Sequence, residues 1–207
     1  FSRHHGKKVL EVGVGSGTDH LQWARVGCDL YGVDLTKAAI NLTRKRLELY
    51  GFKSNLQIVD AENLPFDINS FDVVYSWGVI HHSNNPSNII GEMYRVLKDN
   101  SRGMIMVYNK NSLRYYIKGI YYLLFKFKIF RGYNLETVQK FFTDGYYHKH
   151  FTHNELYGEF KKVGFSNIDI EKSHMFKGIL PGIKPQSKID IYLKNKFGWF
   201  LIVNFTK

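Results

Sequence analysis
Three glycines at alternate positions, Gly13-Val14-Gly15-Ser16-Gly17, close the apolar-rich run Val9-Leu10-Glu11-Val12. A run of that kind reads as a buried strand, and helix-start signals follow it at Thr18 and Asp19. Glycines at the carboxyl end of a strand let the backbone turn sharply. They also let a ligand approach the amides at the next helix's start. A strand, a glycine loop and a helix in that order commit a chain to an α/β architecture.

The rest of the chain repeats the step. Residues 8–12 read as the first strand, and Thr18 or Asp19 caps a helix to about Arg25. Residues 29–33 are the second strand, ending at Asp34. Thr36 caps a helix to about Tyr50, with Gly51 as its stop. Residues 56–59 and 71–76 are the third and fourth strands. Pro86 opens a helix to Leu97 that carries Ile89, Ile90, Met93 and Val96 on one face. Residues 103–108 are the fifth strand. Strict alternation with short connections predicts a parallel sheet with right-handed crossovers. Beyond it, Thr152 and Glu155 form a capping box for a helix to Val163, ended by Gly164, and residues 166–171 and 200–205 close the order as two more strands. The expected fold is one α/β domain over residues 1–207, doubly wound on a mostly parallel seven-stranded sheet. A helical insertion follows strand five over residues 111–147.

Asp34 stands 17 residues past Gly17, where a carboxylate can bind both hydroxyls of a ribose. A dinucleotide fingerprint would need glycine at position 18, and Thr18 is there, which disfavours a nicotinamide oxidoreductase. The third strand leads to Asp60-Ala61-Glu62-Asn63-Leu64-Pro65-Phe66. The fourth reads Phe71-Asp72-Val73-Val74 and continues to Val79-Ile80-His81-His82. Taken together, these motifs over residues 7–108 resemble the class I S-adenosylmethionine-dependent methyltransferases. They are most similar to the small-molecule group that includes quinone-ring C-methylases.

The resemblance implies S-adenosylmethionine as cofactor and a Rossmann-like methyltransferase fold. Glu11 would reach the methionine end of the cofactor through water, and Gly13, Gly15 and Gly17 would line its methionine and ribose portion. Asp34 would hold the ribose hydroxyls, with Leu35 on the adenine. Asp60 would accept from the adenine amino group and the Ala61 amide would donate to the ring. Ser76, Trp77 and Gly78 would close over the methionine moiety. Asp72 would support the sheet edge. Exocyclic-amine methylases of the superfamily carry an Asn/Asp-Pro-Pro-aromatic motif after the fourth strand. Here that place reads Ser76-Trp77-Gly78-Val79, which leaves oxygen or carbon acceptors.

Methyl transfer from a sulfonium is a direct displacement, so alignment and exclusion of water carry most of it. His81 and His82 follow the fourth strand at the ligand-binding edge and are the candidate general bases. The structural alternative is that the pair shapes the loop before Pro86. Tyr108 and Asn109 are further polar candidates. His148, His150 and His153 have no Cys or carboxylate at zinc-like spacing, and no metal is expected.

Ser112 can cap a helix through about Phe130 that is apolar round more than one stripe, with basic residues interleaved. It is expected to form a substrate lid for an apolar acceptor with an anionic end, with peripheral membrane contact, or else to pack on another element or a second subunit. Net charge is +11, scattered rather than blocked. That favours a lysine-rich solvated surface over nucleic acid. An RNA methyltransferase and a catalytically silent binding protein of the same fold are the competing readings. A single cysteine, Cys28, excludes an intrachain disulfide and fits the reducing cytoplasm. No apolar run is long enough to span a membrane.

Overall fold
The computed structural model describes residues 1–142, 147–174 and 187–207. The first half alternates as expected: β1 (Lys8–Val12), α1 (Thr18–Arg25), β2 (Asp29–Asp34), α2 (Lys37–Leu49), β3 (Asn55–Ile58), β4 (Phe71–Trp77), a 3-10 turn (Ile80–His82), α3 (Pro86–Val96) and β5 (Leu97–Tyr108). The second half holds α4 (Leu113–Leu124), a 3-10 turn (Ile129–Arg131), α5 (Leu135–Phe141), α6 (His153–Val163), β6 (Ser166–Ser173), α7 (Lys188–Phe197) and β7 (Phe200–Thr206). Residues 143–146 of the expected insertion lie outside the described residues.

The strands form one seven-stranded sheet in the order β3-β2-β1-β4-β5-β7-β6. β7 runs antiparallel to both neighbours and the remaining pairs are parallel. Strand order reverses between β1 and β4, so ligands are expected beside the carboxyl ends of these two strands. Alternation along the strands splits the core. Leu10, Val12, Val74, Ile105 and Val107 pack with Ile90 and Met93 of α3 and Leu156 and Phe160 of α6. Val9, Val73 and Tyr75 face the other way, onto Leu21 and Ala24 of α1 and Leu47 of α2.

Local signals act where expected at several ends. The Thr36 hydroxyl accepts from the Ala39 amide. Thr152 and Glu155 form both bonds of a capping box, and Gly164 ends α6 at φ 116°. Other ends differ. Neither Thr18 nor Asp19 caps α1: Gly17 is the N-cap, left-handed at φ 73° with no side-chain bond. The reason is competition, since the Thr18 hydroxyl pairs with Ser16 and Asp19 accepts from the Tyr75 hydroxyl at 2.7 Å. Helix α4 stops at Leu124, short of Phe130. Phe127 is left-handed at φ 53°, and Phe125, Phe127 and Phe130 stay exposed, so the last turns gain no packing that would hold them helical. β5 begins six residues earlier than its apolar run, because Leu97 pairs with Phe71 ahead of a register shift. Helix α7 was not among the expected elements, although Ser187 caps it by accepting from the Asp190 amide.

Candidate active site
At the switch point the ends of β1, β2 and β3 enclose a cavity of about 450 Å³. Five of the sequence-derived cofactor residues line it: Gly13, Asp34, Leu35, Asp60 and Ala61. Glu62, Val79, His82, Ser83 and Ile89 complete much of the wall. Gly13 sits at φ 83°, and a Cβ there would fall 2.1 Å from the Val79 side chain, so only glycine lets the loop close on this wall. Around Gly15 a Cβ would meet nothing within 4 Å, whereas at Gly17 it would strike Thr43 of α2. Gly15 therefore opens onto space and Gly17 serves helix packing.

The carboxylates are already oriented. Asp34 Oδ2 accepts from the Gly15 amide at 3.0 Å, and Oδ1 accepts from the Thr36 amide at 2.9 Å and its hydroxyl at 3.0 Å. A carboxylate has about four acceptor sites, so one remains for a ligand hydroxyl. Asp60 Oδ1 accepts from the Glu62 amide at 2.9 Å. Hydrogen bonds from Ser83 (2.5 Å) and Asn85 (3.2 Å) hold the Glu62 carboxyl below the usual range. The wall thus carries three carboxylates, with no Lys or Arg among the described lining residues, in a chain of net charge +11.

Other expected site residues sit elsewhere. Glu11 is buried and turned onto His20 of α1, at 2.9 Å from Nδ1. His20 Nε2 lies 2.9 Å from the Ser54 hydroxyl, which donates to the Leu30 carbonyl at 2.7 Å. Ser54 has spent its one proton, so Nε2–H must donate to it. Nδ1 and the Glu11 carboxyl then share one further proton. Burial, with the Asp19 charge adding to it, drives the Glu11 carboxyl well above its ordinary range. Burial also lowers His20 to about 3. The proton therefore rests on Glu11, and the pair is neutral. Ser76 is buried and donates to the Val12 carbonyl at 2.9 Å, tying β4 to β1. Gly78 turns the chain at φ 76°. Trp77 lines a second, larger cavity of about 810 Å³, with Tyr75, Met104, Trp23, Arg102 and Asn204, on the sheet face that carries α1.

The two candidate bases separate. His82 is on the wall of the smaller cavity. Its Nδ1 lies 3.0 Å from the Tyr147 carbonyl, which can only accept, so Nδ1 carries hydrogen and Nε2 is the basic nitrogen of the neutral ring. His81 lies behind it, fully buried, its ring centroid 4.2 Å from that of His82 and 4.0 Å from that of Tyr108. Neither His81 ring nitrogen has a hydrogen-bond partner among the described residues. Its pKa is pushed well down by burial and by the neighbouring His82, His148 and His150. Tyr108 extends the cluster to His148 and His150. Asn109 is structural: its amide donates to the Gly198 carbonyl at 2.7 Å and its carbonyl accepts from the Asn111 amide. His153 lies apart on the first turn of α6. No group of three or more His, Cys, Asp or Glu side chains among the described residues is arranged to hold a metal.

Residues 10–105 match the family described as a methyltransferase domain. Over these residues the chain is similar to methyltransferases in sequence. It is 41% identical over 97 residues to a phthiotriol/phenolphthiotriol dimycocerosates methyltransferase of Mycobacterium leprae, covering 45% of this chain and 34% of that one. It is 30% identical over 111 residues to a ubiquinone biosynthesis O-methyltransferase of Thiobacillus denitrificans, covering 53% and 48% respectively. The chain thus spans less than half the length of these two relatives. In fold it is similar to an S-adenosylmethionine-dependent methyltransferase of Mesorhizobium loti (TM-score 0.70, 15% identity, all of this chain and 94% of that one).

The lining of the smaller cavity fits S-adenosylmethionine by charge. S-adenosylmethionine carries a sulfonium and no phosphate, and an acidic cavity with no Lys or Arg among its described lining residues suits it better than a dinucleotide. Its volume is in the usual small-ligand range of roughly 300–1,000 Å³. What the motifs did not reveal is the partner of Glu11. The signal for His20 was present in Gly32: a glycine inside a strand marks close approach. A Cβ there would lie 2.6 Å from the His20 ring.

Proposed function
We propose that this chain transfers the methyl group of S-adenosylmethionine to an oxygen or carbon atom of a small-molecule acceptor. The observation that carries the reading is the acidic cavity under the glycine loop, with His82 on its wall. When bound, the cofactor supplies an electrophilic methyl on a sulfonium. Asp34 would accept from a ribose hydroxyl at its remaining acceptor site, Leu35 would cover the adenine, and Asp60 with the Ala61 amide would read the adenine edge. Gly13 and Gly15 would leave room for the methionine and ribose portion. Glu11, Gly17, Ser76 and Gly78 would shape that edge from behind, and Trp77 would border the neighbouring cavity. His82 Nε2 would take the acceptor's proton, held in its tautomer by the Tyr147 carbonyl. His81 would position that ring.

The relative named for ubiquinone biosynthesis O-methylation supports an oxygen acceptor. The aromatic insertion supports an apolar acceptor with an anionic end, and nucleic acid is the weaker alternative. No helix among the described residues is long and apolar enough to cross a membrane. Cys28 as the sole cysteine favours a cytoplasmic setting.

Calorimetric titration tests the reading. S-adenosylmethionine and its demethylated product should bind, and NADH should not. Asp34→Ala should weaken binding by about 1–3 kcal/mol. Asp34→Asn keeps one acceptor oxygen for the loop amides and separates loop support from ligand contact. NADH binding, or unchanged affinity in both variants, would overturn the assignment.

A further inference from the structure
Helix α4 has two unlike faces. Tyr115 and Gly119 are buried, with the Tyr115 ring 4.8 Å from that of His150. Opposite them, Ile117, Ile120 and Leu124 are 45%, 47% and 52% exposed. The stripe continues past the helix into Phe125, Phe127 and Phe130, which are 70%, 64% and 83% exposed. Residues spaced three and four apart form one continuous ridge. Scattered apolar exposure is ordinary, but a contiguous ridge of this kind marks an interaction surface.

Charge says what covers it. No Asp or Glu occurs between Asp99 and Glu136. Within that interval Lys110 pairs with Glu136 and Arg114 lies over the buried Trp199 ring, while Lys118, Lys126, Lys128 and Arg131 fall beside the ridge. Lys128 Nζ sits 3.9 Å above the Phe142 ring, and Lys126 Nζ is 5.9 Å from the Tyr121 ring. Ammonium groups seated over aromatic rings put positive charge directly beside the apolar ridge, the pairing that an anionic headgroup boundary takes.

We propose that α4 and the segment running from it to Arg131 dock on an anionic lipid bilayer, with Leu124, Phe125, Phe127 and Phe130 entering the headgroup boundary and the flanking Lys and Arg meeting lipid phosphates. A second copy of the chain is a poor occupant, since two such faces would oppose like charge. Single-stranded RNA could stack on Phe125, Phe127 and Phe130 but would leave Ile117, Ile120 and Leu124 uncovered, so it accounts for only part of the ridge. A helix is about 10 Å thick, so docking places the histidine cluster behind Tyr115 about that far from the bilayer. An acceptor dissolved in lipid would then enter beside His82, a consequence that rests on the methyl-transfer reading. The docking itself does not.

Vesicle flotation tests the proposal with the full chain. The probes are pure phosphatidylcholine vesicles and vesicles enriched in phosphatidylglycerol. The protein should float with the anionic vesicles, remain behind with the neutral ones, and lose binding as salt is raised. Two variants divide the contributions: Phe127→Ser/Phe130→Ser, and Lys126→Gln/Lys128→Gln/Arg131→Gln. Each should lower the partition coefficient at least about tenfold with an unchanged thermal midpoint. Four results would overturn the proposal: no flotation on anionic vesicles, variants that float like the parent, a dimer in sedimentation that Phe127→Ser/Phe130→Ser dissolves, or retention by single-stranded RNA without retention by vesicles. None of these touches calorimetric cofactor binding, so failure here and failure of the methyl-transfer reading are distinguishable.

Discussion

His20 of α1 and His81 of the 3-10 turn after β4 are both fully buried, yet their surroundings are opposite. His20 uses both ring nitrogens, in a chain of hydrogen bonds from Glu11 to the Leu30 carbonyl. His81 uses neither among the described residues and is held by ring contacts and by its own carbonyl, which accepts from the Lys149 amide at 2.7 Å. A buried polar atom without a partner costs about 1–3 kcal/mol, so a fold tolerates it only where something else is gained. Burial alone would have ranked the two histidines together. Satisfaction separates them: His20 belongs to the scaffold under the glycine loop, and His81 to the proposed catalytic edge.

The largest test of that contrast is His20→Ala. It leaves the Glu11 carboxyl buried without its partner and opens a cavity between α1 and β2. The expected loss, from the cavity together with an unpaired neutral carboxyl, is about 3–5 kcal/mol in urea denaturation. A loss under about 1 kcal/mol would mean that water or a rotated Glu11 replaces the ring, and the scaffold role would fall.

The same contrast marks what could be read from the sequence. Strand–loop–helix order, the glycines and the strand-end carboxylates follow from short-range rules. Gly13, Asp34, Leu35, Asp60 and Ala61 duly meet at one cavity. Glu11 and Ser76 were legible as strand-end residues but not in their direction, because a side chain's partner is set by packing across the sheet. His20, 9 residues from Glu11 along the chain, and Ser54, 34 residues from His20, meet only in three dimensions. The insertion was legible as aromatic and helical. Where its helix would stop was not, since that depends on whether Phe125 to Phe130 find anything to pack against.

A smaller effect should come from Glu11→Gln, which keeps a donor facing His20 Nδ1 but removes the titrating proton. In the parent the folded pair holds one proton. The unfolded pair also holds one between the ordinary Glu value of 4.5 and the ordinary His value of 6.5. Its contribution is therefore level in that window. Above 6.5 the unfolded pair holds none, and stability should fall by up to about 1.4 kcal/mol per pH unit until Glu11 ionises in the fold. Below 4.5 the unfolded pair holds two, and stability should fall again toward pH 3. In Glu11→Gln the alkaline fall should vanish, while acid loss should begin at 6.5 rather than 4.5. Thermal unfolding measured across pH compares the two curves, and parallel curves would show that the pair is not neutral.

The smallest effect on folding is expected from His81→Phe, and it is the sharpest test of the other half of the contrast. Phenylalanine keeps a flat ring against Tyr108 and His82 and removes two buried nitrogens that lack partners among the described residues. Stability near neutral pH should therefore change by no more than about 1 kcal/mol, and a gain is the expected sign. Burial and the neighbouring histidines depress His81, so the folded protein keeps it neutral while the unfolded chain protonates it below about 6.5. The parent thus loses stability as pH falls through that range, and the variant should lose less. Cofactor affinity should hold, because His81 lies outside the cavity wall while His82 lies on it. If His81→Phe costs more than about 2–3 kcal/mol at neutral pH, the ring has a structural partner of the kind His20 has. The two sites would then be alike, and the positioning role assigned to His81 would be withdrawn.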